Sequence, residues 1–271
     1  MQTKEWATIR HNPQLDVGLL HAHYVRHAYP RHSHDYYVVS LIEHGRQSFT
    51  HKGTKFTTPP SGVILINPGA THTGEAVDER GFELRSLYPM VSHMKMAMYE
   101  LTGRTQTLPF FSEVRVDHPW ATKSILALHK ALSQETTFIE RESQFIWTLT
   151  QLIKRYADIP ITEQRPGNES KTIQKARRYI EDCFAQDVSL NSLAQYVGLS
   201  PYYFLRVFCA EVGMPPHAYL ENVRIRQAES LIRAGLSLVD VAVHVGFSSQ
   251  SHMTRSFKKI IGVTPGQYAR D

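Results

Sequence analysis

Several features that usually announce a function are scarce in this chain. Only 2 Cys stand among 271 residues, Cys183 and Cys209, with no Cys-x-x-Cys, which excludes a disulfide scaffold and any Cys-rich zinc module. Purely aliphatic runs such as Val63-Ile64-Leu65-Ile66 fall far short of the ~20 residues of a membrane helix. No apolar core follows Met1-Gln2-Thr3-Lys4-Glu5-Trp6, so the expected location is the cytoplasm, with no membrane partner. Gly-x-Ser-x-Gly, the P-loop, Gly-x-Gly-x-x-Gly and His-Glu-x-x-His are all missing. No enzyme is therefore expected and no cofactor is called for. Charge of one sign is scarce as well: 30 Lys+Arg face 25 Asp+Glu, a net +5. That balance permits a nucleic-acid partner without requiring one.

What is present is unevenly distributed. A hydrophobic content of 42% with 20% charged residues reads as globular, and the length suits two domains. Residues 171–271 carry 12 Lys+Arg and 8 Asp+Glu, whereas residues 1–170 carry 18 and 17. Twelve of 15 His and ten of 14 Pro lie in the first 170 residues. The polar stretch Pro160–Ser170, broken by Pro and Gly, is the expected joint.

The basic tail contains a repeat. Ser189–Ser200 recurs 48 residues later as Ser237–Ser248, and after one inserted residue Arg206, Phe208, Gly213, Pro216 and Tyr219 match Arg255, Phe257, Gly262, Pro265 and Tyr268. Two copies at this distance make a duplicated helical unit rather than a solenoid. Ala194/Gly198 and Ala242/Gly246 have the spacing of a helix-turn-helix: Ala lets two helices cross closely, and Gly supplies the positive φ of the turn. Ser200-Pro201 and Ser248-Ser249 are helix starts, and a helix over 215–234 connects the units. Tyr202, Leu205 and Arg206 are expected to face outward, as are Gln250, Ser251, His252 and Arg255. Arg and Gln so placed suit base edges in a major groove; Ser200, Ser249 and Lys258 suit phosphates. The plainer reading is an all-α module with an ordinary solvated surface. Double-stranded promoter DNA is the preferred partner, because capped second helices and matching Arg occur twice.

Residues 170–271 resemble the AraC/XylS family of bacterial transcription regulators, most specifically at Asp240–Lys258 and Gly262–Tyr268. The resemblance implies two helix-turn-helix units reading successive major grooves about 34 Å apart. It places base reading on Tyr202, Leu205 and Arg206, and on Gln250, Ser251, His252 and Arg255. Two positions depart from the family: Met253 replaces an aromatic, and Cys209-Ala210 replace a basic pair that Lys258-Lys259 keep in the second unit. Binding is therefore expected to lean on dimerisation or a tandem site. The cysteines are read as small buried hydrophobes.

From His11 to Leu87, short strand-like runs alternate with turns such as Lys52-Gly53 and Pro68-Gly69, the pattern of a β-sandwich or barrel. The period of two puts His32 and His34 on one strand face, and His72 follows on a later strand. This region resembles the two half-motifs of the cupin barrel, the sensor type often joined to AraC-like tails. His32, His34, Tyr36 and His72 are expected to line a pocket for a small-molecule effector, with Arg46 as a partner for an acidic one. The blander alternative is surface or hydrogen-bonded core histidines. A third is a metal site on His32, His34 and His72. The cupin pattern would add a Glu where Val38 stands, while Glu43 is out of register. His21-Ala22-His23 is a second His-x-His with no downstream partner.

Helices are expected over 119–133 and 137–157, and another over 90–101; the resemblance makes the first pair a homodimer interface. The expected class is α+β: a cupin-like β-barrel with a helical pair over 1–160, a linker over 161–170, and an all-α double helix-turn-helix over 171–271. By resemblance, a ligand shifts how the DNA-binding parts sit on a promoter, commonly activating through RNA polymerase. A ligand-independent dimeric regulator and a metal-dependent cupin enzyme with a DNA-binding tail are the alternatives.

Overall fold

A computed structural model describes residues 4–104, 108–159, 161, 167 and 169–269. Most of the expected linker lies outside these residues. The chain divides into two units, Met1–Ser133 with Trp147–Glu163, and Gln134–Ile146 with Gln164–Asp271.

The first unit is built from strands β1 (Trp6–Asn12), β2 (Val17–Tyr24), β3 (Tyr29–His32), β4 (Val38–Gly45), β5 (Gln47–His51), β6 (Thr54–Thr58), β7 (Val63–Ile66), β8 (His72–Ala76) and β9 (Phe82–Tyr88). Helix α1 (Val91–Thr102), strand β10 (Arg115–Val116) and helix α2 (Pro119–Ser133) follow, and α3 (Phe138–Tyr156) is divided between the two units after Ile146. The strands form two antiparallel sheets, ordered β1-β2-β9-β4-β7-β10 and β3-β8-β5-β6. Alternation along the strands sends Leu20, Ala22, Ile42, Phe49, Ile64, Ile66, Phe82 and Leu84 into one buried cluster. Lys52 and Gly53, both at positive φ, close the β5–β6 hairpin between His51 and Thr54, the conformation of a type I′ turn.

One expectation fails here. His32 and His34 do not share a strand, because β3 ends at His32, paired with His72. The chain must then pass from the four-stranded sheet to β4 in the six-stranded one, and residues 33–37 make that crossing, Tyr36 included. Strand parity does not apply across it.

The second unit comprises α4 (Ser170–Asp182), α5 (Leu190–Val197), α6 (Pro201–Val212), α7 (Pro216–Arg233), α8 (Leu238–His244), α9 (Gln250–Ile261) and α10 (Pro265–Tyr268). Helix α4 was not anticipated from the sequence; it buries Ile173, Ala176 and Ile180. Ile225, Ala228 and Ile232 of α7 pack with Val241, Ala242, Met253 and Phe257 in one core. Arg224, 3% exposed, donates to the carbonyls of Phe184 and Gln186 at 2.7 and 2.8 Å. Those bonds offset its desolvation and hold the α4–α5 connection against α7.

Gly198 and Gly246 both have positive φ, but their surroundings differ. A Cβ on Gly246 would lie 2.5 Å from the Ala185 carbonyl oxygen, whereas nothing lies within 4 Å of one on Gly198. Gly198→Ala should therefore cost only the backbone term, about 1 kcal/mol, and Gly246→Ala about 3 kcal/mol, measured by urea unfolding. Equal losses would refute the assignment of the difference to that contact. A second expectation concerns pH. Nδ1 of His217 is buried without a hydrogen-bond partner, and burial pushes the imidazole down to about 4. An unfolded His takes up its proton near 6.5, so stability should fall as pH drops from about 6.5 towards 4, by up to about 3 kcal/mol. Thermal unfolding at pH 7, 5.5 and 4.5 should show a flatter profile in His217→Leu; an unchanged slope would exclude His217 as a source.

Candidate nucleic-acid interface and effector pocket

Both helix-turn-helix units have the local features that set a second helix at an angle to the first. Gly198, left-handed, ends α5, and Gly246 follows α8 in the same conformation. Ser200 Oγ accepts from the Tyr203 amide at 3.4 Å, and Ser249 Oγ from the His252 amide at 3.1 Å. Each capping hydroxyl thus satisfies a first-turn N–H and keeps its own proton for another acceptor.

On α9, Met253 and Phe257 are buried while Gln250, Ser251, Arg255 and Lys258 are exposed. These four form an outward stripe beginning at the helix N-terminus, where positive dipole and free N–H groups favour phosphate. His252 does not join them: it is 7% exposed, with its ring edge on Phe247 and Nδ1 3.0 Å from Ser248 Oγ. Lys259, exposed like Lys258, is held by Glu221 at 3.0 Å.

Helix α6 departs further from expectation. Tyr202 and Leu205, expected outside, are 1% and 2% exposed. The run Pro201-Tyr202-Tyr203-Phe204-Leu205-Arg206-Val207-Phe208 is apolar nearly all round, and such a helix is packed on more than one side. Arg206 is half-buried, its guanidinium 5.7 Å from the Tyr202 ring centroid. Burial also pushes the Cys209 thiol up to about 11, in keeping with its reading as a packing residue.

A carboxylate sits at the start of α9. Glu135 accepts from Ser248 Oγ and Ser249 Oγ at 3.0 Å each and lies 3.5 Å from Arg255 Nη2. These bonds hold its carboxyl below the usual range. An oxygen pair bonded by two serine hydroxyls, one of them the helix cap, and an Arg occupies the kind of position a DNA phosphate takes.

In the first unit, His32, His34 and His72 do converge, from β3, the crossing segment and β8. Their ring centroids are 4.4 to 5.4 Å apart, and one nitrogen of each lies within 4.8 Å of the others. They line a cavity of about 90 Å³ with Tyr29, Ser40, Gln47, Thr73, Ser86 and Tyr88 among apolar walls. His32 Nδ1 and His72 Nδ1 face the carbonyls of Pro30 and Ala70 at 2.7 and 3.0 Å. A carbonyl only accepts, so both Nδ1 atoms carry hydrogen and Nε2 keeps its lone pair. Burial lowers His34, and pushes His72 down to about 4. Both are neutral at pH 7, the form that ligates metals or accepts hydrogen bonds. Tyr36 stacks on His34 at 4.6 Å, behind it rather than in the wall. Arg46 is elsewhere: it pairs with Asp78 at 3.1 Å, beside His44 and Arg80, and no cationic side chain lines the cavity.

The AraC-like ligand binding domain family matches residues 14–149, and the helix-turn-helix domain family matches residues 193–271. An HTH-type transcriptional regulator of Bacillus subtilis (strain 168), YbfI, is 33% identical over 249 residues, covering 92% of this chain and 90% of that protein. This chain belongs to the AraC family. It is a transcriptional regulator with an N-terminal ligand-binding domain and a C-terminal helix-turn-helix DNA-binding domain. The HTH-type transcriptional activator RhaS of Klebsiella pneumoniae (strain 342) is 25% identical over 250 residues, 88% of this chain and 86% of that one. Among solved structures, the C-terminal domain of AraT, a response regulator from Geobacillus stearothermophilus, is 32% identical and covers 40% of this chain and 88% of its own, with a TM-score of 0.36. No helix among the described residues of this AraC-family chain is long and apolar enough to cross a membrane.

Some site residues escaped the sequence reading. Gln47 and the Ser40–Ser86 hydroxyl pair, 2.6 Å apart, are polar residues on inward strand positions, a signal that parity alone could have flagged. His21 also has partners after all: Glu83 at 2.8 Å and Glu43 at 3.4 Å. The register shift in β4 between Ile42 and His44 is what sequence spacing could not show. Arg85 bonds the same Glu43 at 2.5 Å, so this outer cluster already holds its own counter-charge.

Replacing Glu135 with Ala removes the acidic competitor from α9, and an exposed pair of this kind is worth up to about 1 kcal/mol. Duplex DNA affinity, read by fluorescence anisotropy at fixed salt, should rise roughly two- to fivefold. Unchanged or weaker binding would show that the contact does not compete with DNA.

Proposed function

We propose that this chain is a cytoplasmic transcriptional activator that binds promoter DNA as a homodimer and responds to a small-molecule effector in the barrel. The observation that carries this reading is the stripe of Gln250, Ser251, Arg255 and Lys258 on a Ser249-capped helix. Gln250 and Arg255 have the donors for bidentate base contacts, while Ser249 and Lys258 meet phosphates. The second helix-turn-helix leads specificity, because α6 of the first is closed in around Tyr202 and Leu205 and offers Arg206 from a half-buried position. Ser200 keeps a phosphate-directed role at the start of α6. Pairing of α2 and α3 between copies supplies the dimer, and contact with RNA polymerase supplies activation, in line with the relatives named as activators. The effector acts only if it binds one arrangement of the dimer better than the other.

Genomic footprinting with and without candidate effectors would locate the operator. On that site, Arg255→Ala should cost about 1–3 kcal/mol and relax one base position, with a smaller specificity loss for Arg206→Ala. Uniform weakening on all sequences would instead place Arg255 on a phosphate.

A further inference from the structure

We propose that the effector is an oxygen-donor anion of carboxylate type, captured through a divalent cation that His32, His34 and His72 hold. The proposal rests on the barrel being the sensing pocket and names what the pocket takes.

The donor set comes first. Three imidazoles from three different segments bring a nitrogen each within 4.8 Å, the convergence one cation requires. Pro30 and Ala70 carbonyls fix the tautomers of His32 and His72, as carbonyls commonly do behind metal-bound histidines. That leaves Nε2 of His32 and of His72 as the nitrogens with a lone pair to donate.

Charge then selects the ligand. The cavity lining contains no Asp, Glu, Lys or Arg. Val38 stands in the wall where the cupin half-motif would supply a carboxylate. Three neutral imidazoles and a dication leave two positive charges among apolar side chains such as Phe49, Ile64 and Leu84. Uncompensated charge in such surroundings is expensive. Three protein ligands also leave coordination positions open, so a bound anion completes the charge and the coordination together. Arg46 cannot serve, being tied to Asp78 outside the cavity. An oxygen-rich ligand also meets Gln47, a residue 7% exposed whose Oε1 is buried with no partner; a hydroxyl beside the carboxylate would donate to it. A cavity of about 90 Å³ accommodates an ion and a small organic acid, each water needing only about 10–15 Å³ on this measure.

The cluster His21, Glu43 and Glu83 is the rival cation site and provides the control. Full-length protein is treated with chelator, dialysed and titrated with Co²⁺, following bound metal per chain and the d–d absorbance. Oxalate is then added as the anion probe. One Co²⁺ per chain is expected, with a spectrum that changes on adding oxalate. His34→Gln, in the crossing segment, and His72→Ala should each weaken Co²⁺ binding at least tenfold, while Glu83→Gln leaves it unchanged. No bound Co²⁺, loss in Glu83→Gln rather than in the two His variants, or a spectrum indifferent to oxalate overturns the proposal. DNA binding is measured on the same samples. Wild-type protein that binds DNA but not Co²⁺ defeats the metal proposal alone, and protein that binds neither defeats the regulator reading as well.

Discussion

Burial of one face of each strand is the constraint on which the ligand-binding domain depends. Leu20 and Ala22 on β2, Ile64 and Ile66 on β7, and Phe82 and Leu84 on β9 reach the same interior because they sit two residues apart. Each inward polar residue is therefore surrounded by hydrocarbon and must find a partner or meet a ligand. Ser40 and Ser86 find each other. His32 and His72 bond backbone carbonyls with one nitrogen and keep the other for the cavity. Gln47 keeps an unpartnered oxygen. The pocket's chemistry is thus the set of polar groups that the apolar walls leave partly unsatisfied.

The DNA-binding domain obeys a related rule with a different period. Met253 and Phe257, four residues apart, bury one side of α9 against α7 and α8, which turns Gln250, Arg255 and Lys258 to the surface. Helix α6 holds the same place in the repeat but has too many apolar side chains for a single inner face, so Tyr202 and Leu205 are packed away. The duplicated units are consequently unequal: one presents a polar reading stripe, and the other mostly a packed helix with a capped start.

Charge adds a third layer. Arg46 with Asp78, Lys259 with Glu221, and Arg85 with Glu43 are mutually engaged, so a net charge of +5 says little about which cations remain available. Arg255, Ser248 and the capping Ser249 instead face the single carboxylate of Glu135, a group whose place in the sequence lies 114 residues from Ser249.

Local signals determined a good deal by themselves. The helix 119–133, the strand 63–66, the caps at Ser200 and Ser249 and the left-handed turns at Gly198 and Gly246 were legible, because capping, periodicity and positive φ act over a few residues. The outward placement of Gln250, Ser251 and Arg255 was legible for the same reason. Tertiary structure alone decided the rest. Whether an apolar residue on the far side of α6 is exposed depends on what packs there, which periodicity cannot encode. His34 reached the pocket from a crossing between sheets rather than along a strand, and a register shift in β4 accompanies the Glu43–His21 contact. Arg46, close in sequence to the pocket, was taken by Asp78. In each case the deciding energy was burial or pairing with a residue distant in sequence, and that is information only the folded chain contains.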